Sequence, residues 1–398
     1  MSTTTTSTSP PRQPKKSKVW TLWDVDGIDM ARPDTFIARE GLVEKAMTLA
    51  KEHCFLVVGS PPGTGKSSLS QLMLEEILKA NREANRERGK ITGFYLRKSS
   101  KKEGFCLYEY VKEKTGVCFD NKTLGEEVKD CSEVWLLFDD AQKLYLESCD
   151  DFWEDVVKEK QRKPFGEKTT VIVVVFATYY LSHEKSSPVC FKNQARLRLS
   201  DLLLSKDEAR SLFERRCVYP RWENYFDRLF YLTSGAAAAF TIAMNQITRR
   251  IQEGGHNRDE ELSESEAVED LVEKIPLDEL KRCFPVGKVD SVSNAAILDA
   301  IVNAYHVDMG ETAVPNREEV EEQPVTRLIK AGILAETGRF TSPFAQRFYY
   351  QIVFPRAPSS ADLPPTLDEL IIQATQKLSA RRLRVARQEI NGVPAAVS

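Results

Sequence analysis

The chain is poor in the features that mark several protein classes. Its eight cysteines, at 54, 106, 118, 131, 149, 190, 217 and 283, include no C-x-x-C pair and meet only 4 histidines at no matched spacing. Neither a zinc site nor a disulfide framework is encoded, and the thiols fit a reducing cytosolic or nuclear setting. No apolar stretch approaches the roughly 18 residues of a membrane span, so no membrane partner is expected. The Ser/Thr-rich opening, Met1 to Ser9, has no apolar segment of the kind that directs secretion. A net charge of −3 supplies no global basic field, so any nucleic-acid contact would have to come from a local patch. What remains, 398 residues of which 41% are apolar, is enough for two or three packed domains and too much for one core.

Against these absences stands one dense run. Residues 59 to 67 read Gly-Ser-Pro-Pro-Gly-Thr-Gly-Lys-Ser, preceded by the apolar Cys54–Val58 and followed by Ser68-Leu69-Ser70-Gln71-Leu72-Met73-Leu74. That order predicts a strand, a glycine loop and a helix. In such a turn the backbone N–H groups converge on the point faced by the positive end of the helix, and a polyphosphate is held there. Gly63, Thr64, Gly65, Lys66, Ser67 and Ser68 are the candidate nucleotide-binding residues, and ATP with Mg²⁺ is the expected ligand pair. Lys66 would reach the β- and γ-phosphates, and the Ser67 hydroxyl would ligate Mg²⁺. The strict spacing asks for glycine at position 60, where this chain has Ser60 with Gly59 just before it. Gly59 is therefore expected to absorb the bend.

A second half of the site is expected at the end of Val134-Trp135-Leu136-Leu137-Phe138, a continuous apolar run that fits a strand buried on both faces. Asp139 ends it and is placed to orient the metal; Asp140 is placed to orient or partly deprotonate the attacking water. Thr178 follows another apolar run, 171–177. It reads equally as a hydrogen-bond partner of the γ-phosphate and as an ordinary strand end. Phosphoryl transfer also calls for an arginine at the γ-phosphate, and spacing does not choose among Arg162, Arg196 and Arg198.

Alternation of helices with apolar strands predicts an α/β fold, a P-loop NTPase parallel sheet with flanking helices, whose ligand site lies at the carboxyl ends of the strands. A Ser/Thr/Pro-rich lead over 1–34 holds Pro14-Lys15-Lys16-Ser17-Lys18, which reads equally as an import signal and as a solvated tail. The sheet domain is expected over 35–195, with a helical stretch over 103–130 that turns at Thr115-Gly116. A helical lid follows over 196–252, helical from Leu197 and with a fresh helix start at Ser205-Lys206-Asp207-Glu208. Then come an acidic linker at 253–284, a winged-helix-like domain at 285–356 with a hairpin turning at Thr337-Gly338, and a linker with a basic helix at 357–398. The arginines of that helix, with the winged unit, are the candidate DNA contact.

These residues resemble the AAA+ and STAND branch of phosphate-loop ATPases. Pro61-Pro62-Gly63-Thr64-Gly65-Lys66 is nearly the AAA+ glycine-loop signature, and Phe36-Ile37-Ala38-Arg39-Glu40 resembles the box upstream of it, with Ala38 in place of the usual glycine. The resemblance implies that Ile37 packs near the adenine and that Arg39 helps orient the lid. Thr233-Ser234-Gly235-Ala236-Ala237 is similar to the lid motif, with Ala237 where proline would stand. A narrower resemblance joins Val134–Tyr145, Arg196–Ala209, Leu328–Leu334 and Phe340–Tyr350 to the ATPase region of Crinkler-type proteins. That family implies a nuclease domain after the winged unit and, for a secreted effector, action in a host nucleus on a host protein. The chain ends at Ser398, about where the nuclease would begin, with no Asp…Glu-x-Lys pattern after 360, so DNA cleavage is not expected. Location is otherwise expected to be intracellular, nuclear or cytoplasmic, and self-association is left open.

Overall fold

Two sets of alternating apolar side chains organise the sheet. In the computed structural model, the described residues are 28, 30, 36–83, 90–97, 106–119, 123–126, 128–141, 152–153, 168–177, 195–216, 223–253, 275–281, 283–284, 328–329, 333–335 and 338–353. The chain divides into two compact units, Met1–Tyr349 and Tyr350–Ser398, and the sheet, the lid helices and the site belong to the first. Of the regions expected from sequence, nearly all of the lead, most of the acidic linker, the body of the winged unit and the basic C-terminal helix lie outside the described residues.

The sheet contains β1 (Phe55–Gly59), β2 (Lys90–Arg97), β5 (Cys131–Asp139), β6 (Thr170–Ala177) and β7 (Arg196–Leu197), in the order β2-β5-β6-β1-β7. Every pairing is parallel. Successive side chains of a strand point to opposite faces, and here both faces are buried. Phe55, Val57, Val134, Leu136, Phe138, Val173 and Val175 join one core, against α3 (Leu107–Thr115) and the Phe152–Trp153 pair. Leu56, Val58, Trp135, Leu137, Ile172, Val174 and Phe176 join the other, under α1 (Glu40–His53) and α2 (Lys66–Glu83). Double burial is why these strands read as unbroken apolar runs. Each fully buried large side chain, Trp135 or Phe176 among them, contributes about 1.5–3 kcal/mol.

Two sequence expectations give way. Of the helical stretch expected over 103–130, the turn at Thr115-Gly116 is present, Gly116 taking a left-handed φ of 71° with its N–H closing on Lys112 O, but among the described residues no helix continues beyond it. A small antiparallel hairpin follows, β3 (Val117–Cys118) with β4 (Thr123–Leu124). The helix expected over Leu197–Leu204 is shorter: Leu197 lies in the edge strand β7, paired with Val57 and Val58 of β1, and only the one-turn α4 (Leu199–Leu202) is helical. A two-residue edge strand carries too few residues to show a period of two.

The lid comprises α5 (Lys206–Arg216), α6 (Glu223–Thr233) and α7 (Ala237–Glu253). Ser205 begins α5 with the reciprocal capping pair its sequence predicts: Glu208 N–H donates to Ser205 Oγ at 3.1 Å, and Ser205 N–H donates to Glu208 Oε2 at 2.8 Å. Gly235 turns the chain from α6 into α7 with a φ of 74°, and a Cβ there would stand 2.4 Å from Leu204 O. Only glycine fits that approach. After the short α8 (Leu277–Leu280), Phe284 packs against Phe344, Phe348 and Tyr349 of α9 (Pro343–Val353) at ring separations of 5.0–6.0 Å. Leu334 and Phe340 form an antiparallel bridge around a left-handed Gly338, where the sequence predicts a hairpin.

Candidate functional site

The glycine loop leaves the carboxyl end of β1 and enters α2, and its bend is not where sequence reasoning placed it. Gly59 is the last residue of β1, in register with Ala177, and the strand runs on far enough for Ser60 N–H to donate to Ala177 O at 3.3 Å. The left-handed residues are Gly63 (φ 76°) and Gly65 (φ 100°). Ser60, the departure from strict spacing, is fully buried. Thr64 Oγ1 donates to Pro61 O at 2.9 Å, so the 2.5 Å contact between the two hydroxyls has Ser60 donating to Thr64. The hydroxyl at position 60 therefore braces the loop from within.

The start of α2 is prepared for an anion. Leu69 N–H takes Gly65 O at 2.9 Å, which leaves the amides of Lys66, Ser67 and Ser68 ahead of the first intrahelical bonds. No acidic residue lies in that first turn to neutralise its positive end. Lys66 Nζ folds over the loop and donates to Ser60 O at 2.8 Å and Pro61 O at 2.7 Å. Burial pushes its ammonium from 10.5 down to about 8, with Asp139 and Asp140 opposing that shift. The carboxylates at the end of β5 and just past it therefore act electrostatically on the glycine-loop lysine.

Asp139 is 1% exposed and accepts a hydrogen bond from the Tyr95 hydroxyl at 2.5 Å. Burial first, and then this bond to Asp139, push the Tyr95 phenol well above its ordinary range. Asp140, just past the strand, sits in the left-handed region at φ 53°, a conformation aspartate tolerates better than most residues. Arg97 grips it, Nε at 3.2 Å and Nη2 at 3.1 Å from Oδ2. Arg97 is itself set by β2, directly across from Asp139 in the parallel register, and its carbonyl accepts from Tyr110 Oη of α3 at 3.1 Å.

The donor set suits a hard cation that keeps part of its water. Among the described residues no group of three or more His, Cys, Asp and Glu side chains could hold a metal by itself. A magnesium ion bound with nucleotide needs no such cage, since one or two protein oxygens complete a shell of phosphates and water. The Ser67 hydroxyl and the buried Asp139 carboxylate are of that kind.

At the 36–39 box, Arg39 starts α1 from a left-handed φ of 49°. Its guanidinium donates to Leu202 O at 2.8 Å, Leu203 O at 2.9 Å and both oxygens of Glu208 at 3.0 and 3.2 Å. Arg215 of α5 returns a bond to Phe36 O at 2.9 Å. The 36–39 box and the first lid helix are thus tied in both directions, with Ile37 half-buried between Phe36 and Arg39. The lid also reaches the phosphate loop: Ala238 N–H donates to Gly63 O at 2.9 Å. A Cβ on Gly63 would lie 3.1 Å from Cys283 Cα and 3.3 Å from Ala238 Cβ.

The structure brings Lys66, Asp139 and Asp140 to one sheet edge, with Ser67 and Ser68 in the first turn beside Lys66. Thr178 and Arg162 lie outside the described residues. Arg196 lies in β7 opposite Val57, and the backbone N–H of Arg198 donates to Asp201 at the start of α4. Sequence reasoning missed Tyr95, Arg97, the Arg39–Glu208 pair and the Ala238–Cys283 pair. A residue-pair signal existed for the first two, which stand two apart at the end of a strand and so share a face.

Strand order, parallel pairing and the glycine loop entering α2 define a P-loop NTPase fold. Among solved structures the chain is similar to a Walker-type ATPase of Pyrococcus abyssi, at 15% identity and a TM-score of 0.46, covering 81% of this chain and 99% of that one. It is also similar to the ORC2 protein of Aeropyrum pernix in its ADPNP–ADP complexes, at 13% identity and a TM-score of 0.43, covering 83% and 95%. No protein-family model matches the chain, and no curated protein does.

Proposed function

We propose that this chain is a Mg²⁺-dependent ATPase of AAA+ type that works as a slow, nucleotide-driven switch. The observation that carries the reading is the meeting of Lys66 with Asp139 and Asp140 beside a helix N-terminus free of acidic residues. Lys66 would exchange its bonds to Ser60 O and Pro61 O for the β- and γ-phosphate oxygens, and the Gly63–Ser68 amides would hold the remaining charge. Mg²⁺, on the Ser67 hydroxyl and oriented by Asp139, would neutralise charge between those phosphates. Asp140 would accept the proton of the attacking water. While Arg97 holds its carboxylate, that role is suppressed, which makes turnover slow and the ATP-bound state long-lived.

Phosphate release from ATP by the purified chain tests this, beside Lys66→Ala and Asp140→Asn. Release that needs Mg²⁺ and vanishes in both variants is the expected result. Wild-type protein that neither binds nor hydrolyses ATP would overturn the reading.

The narrower assignment, to the ATPase region of Crinkler-type effectors with action in a host nucleus, rests on the sequence resemblance and on Lys15-Lys16. A tagged chain that stays cytoplasmic whether or not Lys15 and Lys16 are present would remove the second support. A second reading makes the nucleotide structural and gives the hairpin unit and the basic C-terminal arginines a DNA contact. It is favoured by the Leu334–Phe340 bridge across Gly338. Its signature is DNA affinity that falls steeply with salt and ignores ATP.

A further inference from the structure

The hydroxyl of Tyr95 on Asp139 is not required by phosphoryl transfer, yet the fold places it there by register. Arg97 is paired with Asp139 and Tyr95 with Leu137. Paired residues of parallel strands share a face, and Leu137 belongs to the core under α1 and α2. Tyr95 therefore stands on the α2 side of the sheet, the side from which Lys66 and Ser67 approach. Its bond takes Oδ2 of a carboxylate that is almost fully buried.

Taking one oxygen has a consequence for which cation the other can serve. Ca²⁺ takes six to eight oxygens in flexible geometry and readily uses both oxygens of one carboxylate; Mg²⁺ demands a near-octahedral shell and keeps its waters. A carboxylate whose Oδ2 already accepts the Tyr95 hydroxyl has one lone pair fewer there, which favours coordination through the other oxygen, directly or through water, over chelation. We propose that Tyr95 is a specificity-determining residue of the metal subsite: by hydrogen-bonding Oδ2 of Asp139 it disfavours two-oxygen coordination and makes nucleotide binding favour Mg²⁺ over Ca²⁺. The inference rests on the nucleotide site proposed above.

The test is binding of a fluorescent methylanthraniloyl-ADP to the full chain in Mg²⁺, in Ca²⁺ and in EDTA. Wild type is expected to gain more affinity from Mg²⁺ than from Ca²⁺. Tyr95→Phe, which removes one oxygen, is expected to bind as wild type in EDTA while its Mg²⁺-to-Ca²⁺ preference falls about ten-fold, the scale of a lost partner behind a metal ligand. In an Asp139→Asn background the same substitution should change nothing, because its action runs through that carboxylate. Equal loss in both metals, or an unchanged preference, makes Tyr95 a packing residue only and overturns the proposal. A shift that persists without Asp139 overturns it as well. Wild-type protein that binds the nucleotide but does not distinguish the two metals rejects the inference with no variant needed. Absence of nucleotide binding in EDTA and in both metals rejects the site reading itself.

Discussion

The glycine loop and the carboxylate pair meet at one sheet edge but are held by different means. The loop is built from within: its left-handed glycines, the Ser60–Thr64–Pro61 bonds and the start of α2 all lie between residues 60 and 70. The carboxylates are held from outside, by Tyr95 and Arg97 more than forty residues earlier in the chain. A locally encoded loop stands ready for phosphate. A carboxylate pair gripped by a neighbouring strand can be released by moving that strand's side chains, as the proposed switch would require.

Substitutions can break each half of this contrast. Lys66→Ala should have the largest effect, lowering nucleotide affinity on the order of 100-fold, the upper scale of a charged hydrogen-bonding group, as read by equilibrium titration. Gly63→Ala should act on the loop alone. A non-glycine residue at φ 76° with a Cβ 3.1 Å from the Cys283 backbone costs about 1–3 kcal/mol, measurable by urea unfolding. Arg97→Met should have the opposite sign on activity, raising basal phosphate release roughly five-fold if the half-buried ion pair is worth ~1 kcal/mol. Unchanged or lower turnover in that variant would show that Arg97 does not restrain Asp140.

The pH dependence follows from Lys66. In the free protein its ammonium loses its proton as pH rises through about 8. Phosphate favours the charged form, so nucleotide affinity should fall above that pH and binding should take up a proton there, as calorimetry in buffers of different ionisation enthalpy would read. The sign for stability is the reverse. The folded pKa lies below the unfolded one, so the cost of burying the charge is full below about 8 and is relieved as pH rises toward 10.5. Ser60→Ala should give the smallest effect, about 1 kcal/mol for one neutral internal hydrogen bond, with binding weakened only slightly because the glycines keep the bend.

Much of the nucleotide half was legible in the chain. Cys54–Ser70 reads as strand, loop and helix because each rule it uses is local, and the apolar runs ending at Asp139 and Ala177 are strands because burial on both faces leaves no polar alternation. The capping pair at Ser205 and Glu208 was equally readable. Gly59 was misjudged because a glycine's freedom says that it can bend and not that it does; here it continues the pairing with Ala177. The turn at Thr115-Gly116 was readable, but the stretch after it read as helical and a hairpin stands there.

Sequence by itself determined the phosphate loop, its lysine and the two carboxylates, since spacing along one strand–loop–helix and one apolar strand is enough to specify them. Tertiary structure alone decided what those groups touch. That β2 lies beside β5, in a register that sets Arg97 against Asp139, depends on which strands pair. The placing of Ala238 and Cys283 on Gly63, and of Arg39 on Glu208, depends on how the lid folds back. Contacts between residues 40 to 220 positions apart leave no period in the chain, because their energy is realised only after the core has packed.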